Sequence, residues 1–319
     1  MVESKLVKNL QNFLDLEAQT WLKGASYPDL DLGLNVKSSS LWASAMKRFL
    51  KNKAALISIS LLIIVVLFSL FGPYISQYTF DETDWDYTIG APSFANGHYF
   101  GTDSTGRDLF VRVALGGRIS LLVGISGAAM AVFIGVFYGS ISGYLGGYVD
   151  NVMMRIVEIL GSMPFMFFVI LLVTFFGQNL ILIFIAIGAV SWLNMARIVR
   201  GQTLSLKKKE FIEAALVCGV STRSIIKDHI IPNLLGVVMV YASLLVPGMI
   251  LFESFLSFLG LGVQEPISSW GSLLNDGVVS MEETPWILGF PAAFLVITLF
   301  CFNFIGDGLR DALDPKDNR

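Results

Sequence analysis

The stretch "EFIEAALVCGVSTRSIIKDHIIPN", residues 210–233, is a charged interruption in a chain that is apolar for most of its length. Of the 319 residues, 54% are hydrophobic and 15% are charged, whereas ordinary globular chains carry about 25% charged residues. The composition therefore predicts a membrane protein in which this stretch stands off the bilayer. The net charge of -3 offers no basic surface, so nucleic-acid binding is not expected.

Six apolar runs approach or exceed the roughly 20 residues that cross a bilayer. They cover residues 54–71, 119–144, 153–176, 180–198, 234–258 and 287–305. No small-residue cleavage signature follows the first run, so we expect an uncleaved anchor. We predict an all-α polytopic membrane protein with six transmembrane helices, and an even number of spans places both termini on one side.

The distribution of Lys and Arg predicts which side this is. Residues 1–53 carry eight of them, residues 197–230 carry seven and the tail after Asp307 carries three, whereas residues 72–118 carry three and residues 260–286 carry none. Loops rich in Lys and Arg stay in the cytoplasm. Both termini and the polar segment, defined here as residues 200–232, are therefore expected to be cytoplasmic.

The N-terminal region before the first run divides into two parts. The first 40 residues are polar, and we expect weak or partial order there. In "LWASAMKRFLKNK", residues 41–53, apolar residues form one helical stripe. This pattern suits a helix in the membrane interface, and a plain cytosolic start to the first span fits it equally well. The stripe consists of Leu41, Trp42, Ala45, Met46, Phe49 and Leu50.

Small residues recur at every fourth position in "GAAMAVFIGVFYGSISGYLGG", residues 127–147. Such a ridge lets another helix backbone approach closely, which is how helices associate in membranes. The partner is another span of this chain, a second subunit or, less commonly, a substrate pathway. The ridge consists of Gly127, Ala131, Gly135, Gly139, Gly143 and Gly147.

Few ionisable residues lie inside the predicted spans. Arg155 and Glu158 are spaced to pair on one helix face or to reach the interface. Glu253 is isolated and follows a helix-perturbing Pro247–Gly248 pair, so it either lines a substrate pathway or makes a structural hydrogen bond. A secondary transporter would normally carry more such groups and an inverted repeat, and we see no such repeat.

Enzyme and metal motifs do not occur in the sequence. It has no P-loop, no H-E-x-x-H and no G-x-S-x-G, so we expect no catalytic residues and no cofactor bound by this chain. His98 and His229 fall on opposite sides of the predicted topology, and we predict no metal site. Cys218 and Cys301 are not expected to form a disulfide. Any energy for transport must come from another protein.

The local pattern of the polar segment predicts two short helices. Gly219 is a natural helix stop because Gly adopts the left-handed cap cheaply. Ser221 or Thr222 can cap the next helix, "TRSIIKDHII", which we expect to end where Pro232 opens the fifth span. Small residues beside apolar anchors suit docking into a soluble partner, although a solvated loop with helical turns fits the pattern as well.

The same segment resembles the EAA loop of ABC-transporter permease subunits. Three residues separate the E-A-A triplet from Gly, and Pro follows that Gly by thirteen positions, as the family has it. The usual I-x-L-P ending reads "HIIP" here, with His229 at the isoleucine position. "GTDSTGRD" (101–108) and "SFLSFLGLG" (254–262) further resemble the C-type permeases of bacterial oligopeptide and dipeptide importers, and the resemblance covers nearly everything after residue 40. The matching positions are Glu213, Ala214, Ala215, Gly219, Ile231 and Pro232.

This resemblance implies a type I ABC importer permease fold in a bacterial inner membrane. The implied organisation is a cytoplasmic extension (1–53), a first transmembrane helix (54–71), a periplasmic segment (72–118), a five-helix core (119–309) that contains the polar segment, and a cytoplasmic tail (310–319). Its partners would be a homologous B-type permease, two cytoplasmic P-loop ATPases that use ATP and Mg, and a periplasmic peptide-binding protein.

The resemblance also assigns roles to individual residues. The EAA positions, together with Arg223, would couple the ATPases to the permease. Arg107 and Asp108 would help the binding protein dock, although local hydrogen bonds that fix their loop are an alternative. The cargo would be oligopeptides, with dipeptides or nickel as alternatives. A stand-alone secondary transporter or channel remains the competing function from another class.

Overall fold

The computed structural model describes residues 41–177 and 180–313, and the regular elements in these ranges are helices. The weakly ordered extension predicted for residues 1–40 lies outside the described residues. The helices are α1 Leu41–Phe49, α2 Lys53–Ile75, α3 Leu109–Leu145, α4 Gly147–Ser162, α5 Phe165–Phe176, α6 Leu180–Leu206, α7 Glu210–Val217, α8 Thr222–Ser224, α9 Ile231–Phe258, α10 Trp270–Val279 and α11 Pro285–Leu313.

Four described helices are long and apolar enough to cross a membrane. They are α2, α3, α11 and the continuous helix Thr222–Phe258, which contains α8 and α9. The pair α4 and α5 adds a fifth span if both belong to one crossing. The all-helical prediction is therefore confirmed, and the number of six spans stays a prediction.

The predicted run 153–176 is not one straight helix, which corrects the sequence-based expectation. Helices α4 and α5 meet at an angle of 77°. Met163 between them is extended, with φ -75° and ψ 130°. Because the ring of Pro164 disfavours helical backbone at the preceding residue, the helix ends at Ser162 and a new one begins after the proline.

A proline inside α2 explains a contact between α2 and α3. Pro73 has no N–H, so the carbonyl of Ser69 lacks its helical partner. The guanidinium of Arg118 on α3 donates to this carbonyl, with 2.7 Å between Nε and the oxygen. The side chain of Arg118 therefore satisfies the backbone where Pro73 interrupts it, and α2 continues to Ile75.

The small-residue ridge of α3 packs against α6 of the same chain, one of the three alternatives above. A Cβ atom on Gly135 would lie 2.6 Å from the Cβ of Met195, and one on Gly143 would lie 2.8 Å from the carbonyl oxygen of Arg200. Gly147 does not belong to the ridge, contrary to the prediction. It has φ +56° and begins α4, because the chain leaves the α3 axis after Leu145.

The largest core cluster forms where α3, α9, α10 and α11 meet. Trp270 is fully buried, and its indole N–H donates to the carbonyl of Val113 over 3.0 Å. The backbone N–H of Trp270 also donates to the hydroxyl of Ser120, over 3.2 Å. The connections before α3 and before α10 therefore lie at the same end of the helices. We call this end the outer end, after the predicted topology.

The first helix follows the predicted amphipathic stripe only in part. Ala45 and Phe49 are buried, whereas Met46 and Leu50 are exposed. Phe49 packs against Ala55 and Ala312, near the two ends of the described chain. The helix covers Leu41–Phe49, so Leu50 lies in the turn after it and the stretch to Lys53 is not one helix. A position of this helix in the membrane interface stays a prediction.

Candidate functional site

Helix α7 has one fixed face and one free face. On the fixed face Ile212 is fully buried and Ala215 is 9% exposed. Glu213 and Ala214 are exposed between them. On the free face Val217 is 89% exposed, together with the half-exposed Phe211 and Leu216. The helix thus presents an apolar surface away from the chain while its other side is held in place.

The turn after α7 is a left-handed cap at Gly219. Gly219 has φ +76°, and the N–H of Val220 donates to the carbonyl of Ala215 over 3.0 Å. The N–H of Gly219 donates to the carbonyl of Leu216, also over 3.0 Å. This geometry stops the helix as a Schellman-type cap does, and the predicted helix stop at Gly219 is confirmed.

Ser221 caps the next helical segment, one of the two predicted possibilities. Its hydroxyl accepts a hydrogen bond from the backbone N–H of Ser224, with 3.3 Å between the heavy atoms. Helix α8 then continues through a π-helical turn, Ile225–Ile230, into α9. The second helix therefore does not end at Pro232, and this part of the prediction is wrong.

The π-helical turn explains how the helix passes Pro232. A proline inside a regular α-helix lacks the N–H and crowds the carbonyl four residues earlier. Here the N–H of Ile231 bonds the carbonyl of Ile226, five residues back, so the backbone is wider just before the proline. One continuous helix therefore joins the polar segment to the span that follows it.

Packing connects α7 to this continuous helix. Ile212 and Ala215 belong to one buried cluster with Ile225 and Ile230 of the π-helical turn and Leu234 of α9. Tyr144 at the end of α3 lies in the same cluster. A force on the free face of α7 therefore has a packed route into α9.

The remaining predicted residues of the polar segment lie on or near its surface. Arg223 and Pro232 are exposed, and Ile231 is half-buried. Their part in an interface with a partner stays a prediction.

An ion pair that the sequence patterns did not predict lies at the start of the polar segment. The guanidinium of Arg200 on α6 donates to both carboxylate oxygens of Asp150 on α4, each over 2.5 Å. The hydroxyl of Ser142 on α3 donates to Asp150 as well, over 2.5 Å. The two charged residues lie fifty positions apart in the sequence, and no local pattern links them.

Arg107 at the outer end is held by a buried charge network. Its side chain is 11% exposed and donates to Asp103 over 2.9 Å and to Glu265 over 2.7 Å. Arg112 is also paired with Asp103. Burial opposes the ionisation of Asp103, but Arg112 and the hydrogen bond from the backbone of Arg107 hold the pKa of this carboxyl below its ordinary value.

The hydrogen bonds from Arg107 to both acids favour the local loop-fixing alternative for this residue. They tie the connection before α3 to the connection before α10. A role of Arg107 in docking a partner stays a prediction.

The carboxylate of Asp108 likewise makes contacts within the chain. It caps α3 by accepting from the backbone N–H of Val111 over 3.1 Å. Its other oxygen lies 2.9 Å from Nδ1 of His98, which is buried and stacked on Tyr78. Burial raises the pKa of Asp108, although the contact with His98 acts in the opposite direction. Within residues 41–177 and 180–313, no group of three His, Cys, Asp or Glu side chains is arranged so that it could hold a metal ion.

Glu253 is fully buried among hydroxyl groups near the outer end of α9. It accepts hydrogen bonds from Ser120 of α3 and from Ser257, each over 2.8 Å. Because Ser120 also accepts from the backbone of Trp270, the carboxyl group joins α3, α9 and the start of α10. This geometry favours the structural hydrogen bond, and a place in the substrate pathway stays a prediction.

The remaining residues considered in the sequence are one charged pair on α4 and two cysteines. Arg155 and Glu158 form the predicted pair, with 2.9 Å between Nη1 and Oε2, on an exposed face of α4. Cys218 is exposed, Cys301 is buried, and both are free thiols.

Two protein families match the chain. The family described as binding-protein-dependent transport system inner membrane component matches residues 113–318. The family described as N-terminal TM domain of oligopeptide transport permease C matches residues 40–95. Together they cover the described helices except for the first four residues of α3.

Individual relatives are similar over almost the same range. Over 284 residues, the oligopeptide transport system permease protein OppC of Salmonella typhimurium strain LT2 is 70% identical and that of Escherichia coli K12 is 69% identical. Each match covers 89% of this chain and 94% of the relative. The protein of the same name from Haemophilus influenzae is 64% identical, over 89% of this chain and 91% of the relative.

Proposed function

The chain belongs to the family of binding-protein-dependent transport system inner membrane components, and we propose that it is the permease subunit of an ABC importer that moves oligopeptides across a bacterial inner membrane. The relatives that bear the name of an oligopeptide permease are up to 70% identical to it and align over most of its length. These names support oligopeptides as the cargo over dipeptides or nickel.

The observation that carries the mechanism is the division of α7 into a fixed face and a free face. Ile212 and Ala215 hold the helix against α9, whereas Val217, Leu216 and Phe211 are exposed. An apolar surface on a charged segment between membrane helices suits a soluble partner. In an importer of this family that partner is an ATPase subunit, which supplies the energy.

The proposed cycle follows from this geometry. Closure of the ATPases moves α7, whose residues Glu213, Ala214 and Ala215 lie on the docked helix. Gly219 allows α7 to change its angle, and the continuous helix through Ile231 and Pro232 carries the movement into the membrane. Arg223 contributes a polar contact at the rim of the interface. The chain itself carries out no chemistry, and two conformations of the pathway alternate.

The arrangement in the membrane is part of the same proposal. Six transmembrane helices, with both termini and the polar segment in the cytoplasm, agree with the distribution of Lys and Arg. The outer end, with Arg107 and Asp108, would then face the periplasm and a peptide-binding protein. A homologous second permease would complete the substrate pathway. Glu253 would line the part of the pathway that this subunit forms.

The proposal is tested by purifying the tagged chain from its native membrane in a mild detergent. We expect a second permease and two P-loop ATPases in the eluate, with vanadate-sensitive ATP hydrolysis. Uptake of labelled oligopeptides, dipeptides and Ni²⁺ into proteoliposomes containing the complex then identifies the cargo. Gradient-driven flux through the chain alone would instead support a secondary transporter.

A matched pair of variants tests the docking surface itself. Leu216→Glu places a charge on the free face of α7, at a side chain that is 50% exposed. Ile267→Glu changes an equally apolar side chain, 48% exposed, at the outer end. We expect the ATPases to be lost from the Leu216→Glu eluate and retained with Ile267→Glu. Retention of the ATPases by both variants would contradict docking at α7.

A further inference from the structure

Helix α4 is attached to the rest of the chain mainly through polar contacts. Only Asp150 and Val157 are buried among its residues. The hydroxyl of Tyr138 on α3 donates to the carbonyl of Met153 over 2.8 Å. Much of the remaining surface of α4 is exposed, including Tyr148 at 83%. Because little apolar packing holds α4, its position depends on these few polar bonds.

Both ends of α4 are points where the chain direction changes. Before it, Gly146 and Gly147 have φ +68° and +56°. These are left-handed conformations that glycine adopts at little cost. After it, the chain bends by 77° at Met163 and Pro164 into α5. Helix α4 is therefore a separate helical segment between two bends of the chain.

The ion pair of Asp150 joins α4 to α6, the helix that leads towards α7. Asp150 lies in the first turn of α4, three residues after Gly147. Its partner Arg200 lies on α6, which continues to Leu206 and then, through a short turn, into α7. Both carboxylate oxygens are bonded, and a bidentate pair of this kind sets the relative orientation of its two elements.

A second bond connects the turn before α7 with the end of α3. The Nζ of Lys207 donates to the carbonyl of Tyr144 over 2.6 Å, just before the first bend. The segment that leads into α7 is therefore linked to the base of α4 at two places, through Lys207 and through Arg200. Of these two contacts, only the one through Arg200 acts on α4 itself.

We propose that Asp150 is a positioning residue that transmits the movement of the polar segment to α4 through its ion pair with Arg200. This inference rests on the proposed function, because it assumes that partner ATPases move α7. The proposed function already has one moving element, the continuous helix of α8 and α9. The inference adds a second one, which is α4 together with the bend that follows it. A purely structural ion pair would hold the fold together without carrying this movement.

The test compares two ion pairs that involve α4. Asp150→Asn removes the charge that bonds Arg200 on a different helix. The matched control, Glu158→Gln, breaks the pair with Arg155, which lies on α4 itself and is 74% exposed. Both variants are made in the complete complex with its ATPases and second permease. The background carries Cys218→Ser and Cys301→Ser, so that introduced cysteines can be spin-labelled.

The first measurement is the distance between a spin label on α4 and a spin label on α2. It requires no peptide substrate. Labels replace Val152 on α4 and Ile57 on α2, two exposed positions. In the wild-type background we expect the distance distribution to shift when ATP and vanadate are added. The shift should be lost with Asp150→Asn and retained with Glu158→Gln. A shift that survives Asp150→Asn, or no shift in the wild-type background, would overturn the inference.

The second readout is the number of peptides imported per ATP hydrolysed. We expect Asp150→Asn to lower this ratio about fivefold or more, the lower range of coupling between distant sites, while Glu158→Gln leaves it unchanged. An unchanged ratio, with uptake and hydrolysis falling in parallel, would mean that the pair only stabilises the fold. If the wild-type complex hydrolyses ATP without importing oligopeptides, the proposed cargo fails while the distance measurement still tests Asp150.

A second variant covers the case in which Asp150→Asn does not assemble. Arg200→Lys keeps the positive charge but cannot bond both carboxylate oxygens in a fork. We expect it to assemble and to reduce the distance shift. A full shift and a wild-type ratio with Arg200→Lys would overturn the inference.

Discussion

A side chain on Gly139 would collide with the backbone of Ala196: a Cβ atom added to this glycine would lie 2.4 Å from the carbonyl oxygen of Ala196. The contact lies in the middle of the interface between α3 and α6. Neighbouring glycines of the ridge approach α6 in the same way. The two backbones touch because these side chains are absent, which is how close helix packing is obtained in a membrane.

We therefore expect Gly139→Ala to weaken the packing of α3 on α6. Overpacking of this kind costs about 1–3 kcal/mol, and the cost should appear as a lower midpoint of thermal unfolding in detergent. Gly201→Ala on α6 is the matched control, since no atom lies within 4 Å of its added Cβ. That variant should be neutral or more stable by up to about 1 kcal/mol. Equal midpoints for the two variants would contradict this packing.

Gly219→Ala should reduce transport more than it reduces stability. Alanine at φ +76° costs about 1–2 kcal/mol of local strain, and relief of that strain changes the angle between α7 and α8. Gly260→Ala is the matched control, because Gly260 has φ +74° and also follows the end of a helix, in this case α9 at the outer end. Peptide uptake and ATP hydrolysis by the assembled complex measure the effect. Loss of uptake to the same extent in both variants would argue against a special role of Gly219.

Glu253→Gln and Glu253→Ala distinguish the two interpretations of Glu253. Glutamine keeps one acceptor oxygen, and its NH2 group can donate to the second hydroxyl of the Ser120 and Ser257 pair once that hydroxyl accepts instead of donating. Stability should therefore be nearly unchanged. Alanine leaves these buried hydroxyls without their partner and should cost about 1–3 kcal/mol, measured as a lower unfolding midpoint. If Glu253→Gln is stable yet loses uptake, the carboxyl group belongs to the pathway. Normal uptake with Glu253→Gln would support the structural interpretation.

The charge network at the outer end also includes Asp276, whose Oδ2 lies 3.6 Å from Nη2 of Arg112. Glu265 and Asp276 should respond to pH in opposite ways. The hydrogen bond from Arg107 lowers the pKa of Glu265, so the ionised form stabilises the folded state above the ordinary value of 4.5. This stabilisation is lost as the pH falls through the lowered pKa. Burial raises the pKa of Asp276, although Arg112 acts against it. Ionised Asp276 therefore destabilises the folded state above that raised pKa.

At pH 7 we accordingly expect Glu265→Gln to lower the unfolding midpoint and Asp276→Asn to raise it. Both differences should shrink as the pH is lowered and the wild-type carboxyls become protonated. The difference for Asp276→Asn should shrink first, because its raised pKa is reached before the lowered pKa of Glu265. Thermal unfolding in detergent between pH 4 and pH 8 measures both variants against the wild type. Changes of the same sign at pH 7 would contradict the opposite pKa shifts of the two acids.

Much of the candidate site could be predicted from the sequence because its signals are local. The E-A-A triplet, the stop at Gly219 and the cap at Ser221 depend on neighbouring residues, and the structure has the stop and the cap where they were expected. The passage of the helix through Pro232 could not be predicted in this way. It requires a π-helical turn, and that turn is stabilised by the packing of Ile225 and Ile230 against α7.

The sequence by itself determined the class of protein, the apolar helices and the position of the polar segment, because hydropathy and helix-ending residues act over a few neighbouring positions. Only the tertiary structure decided the partners of Asp150, Glu253, Arg107 and Asp108, and the fit of the α3 ridge onto α6. The contacts of Asp150 with Arg200, of Glu253 with Ser120 and of Arg107 with Glu265 join residues that are distant along the chain. Packing in three dimensions brings them together without leaving a periodic pattern in the sequence.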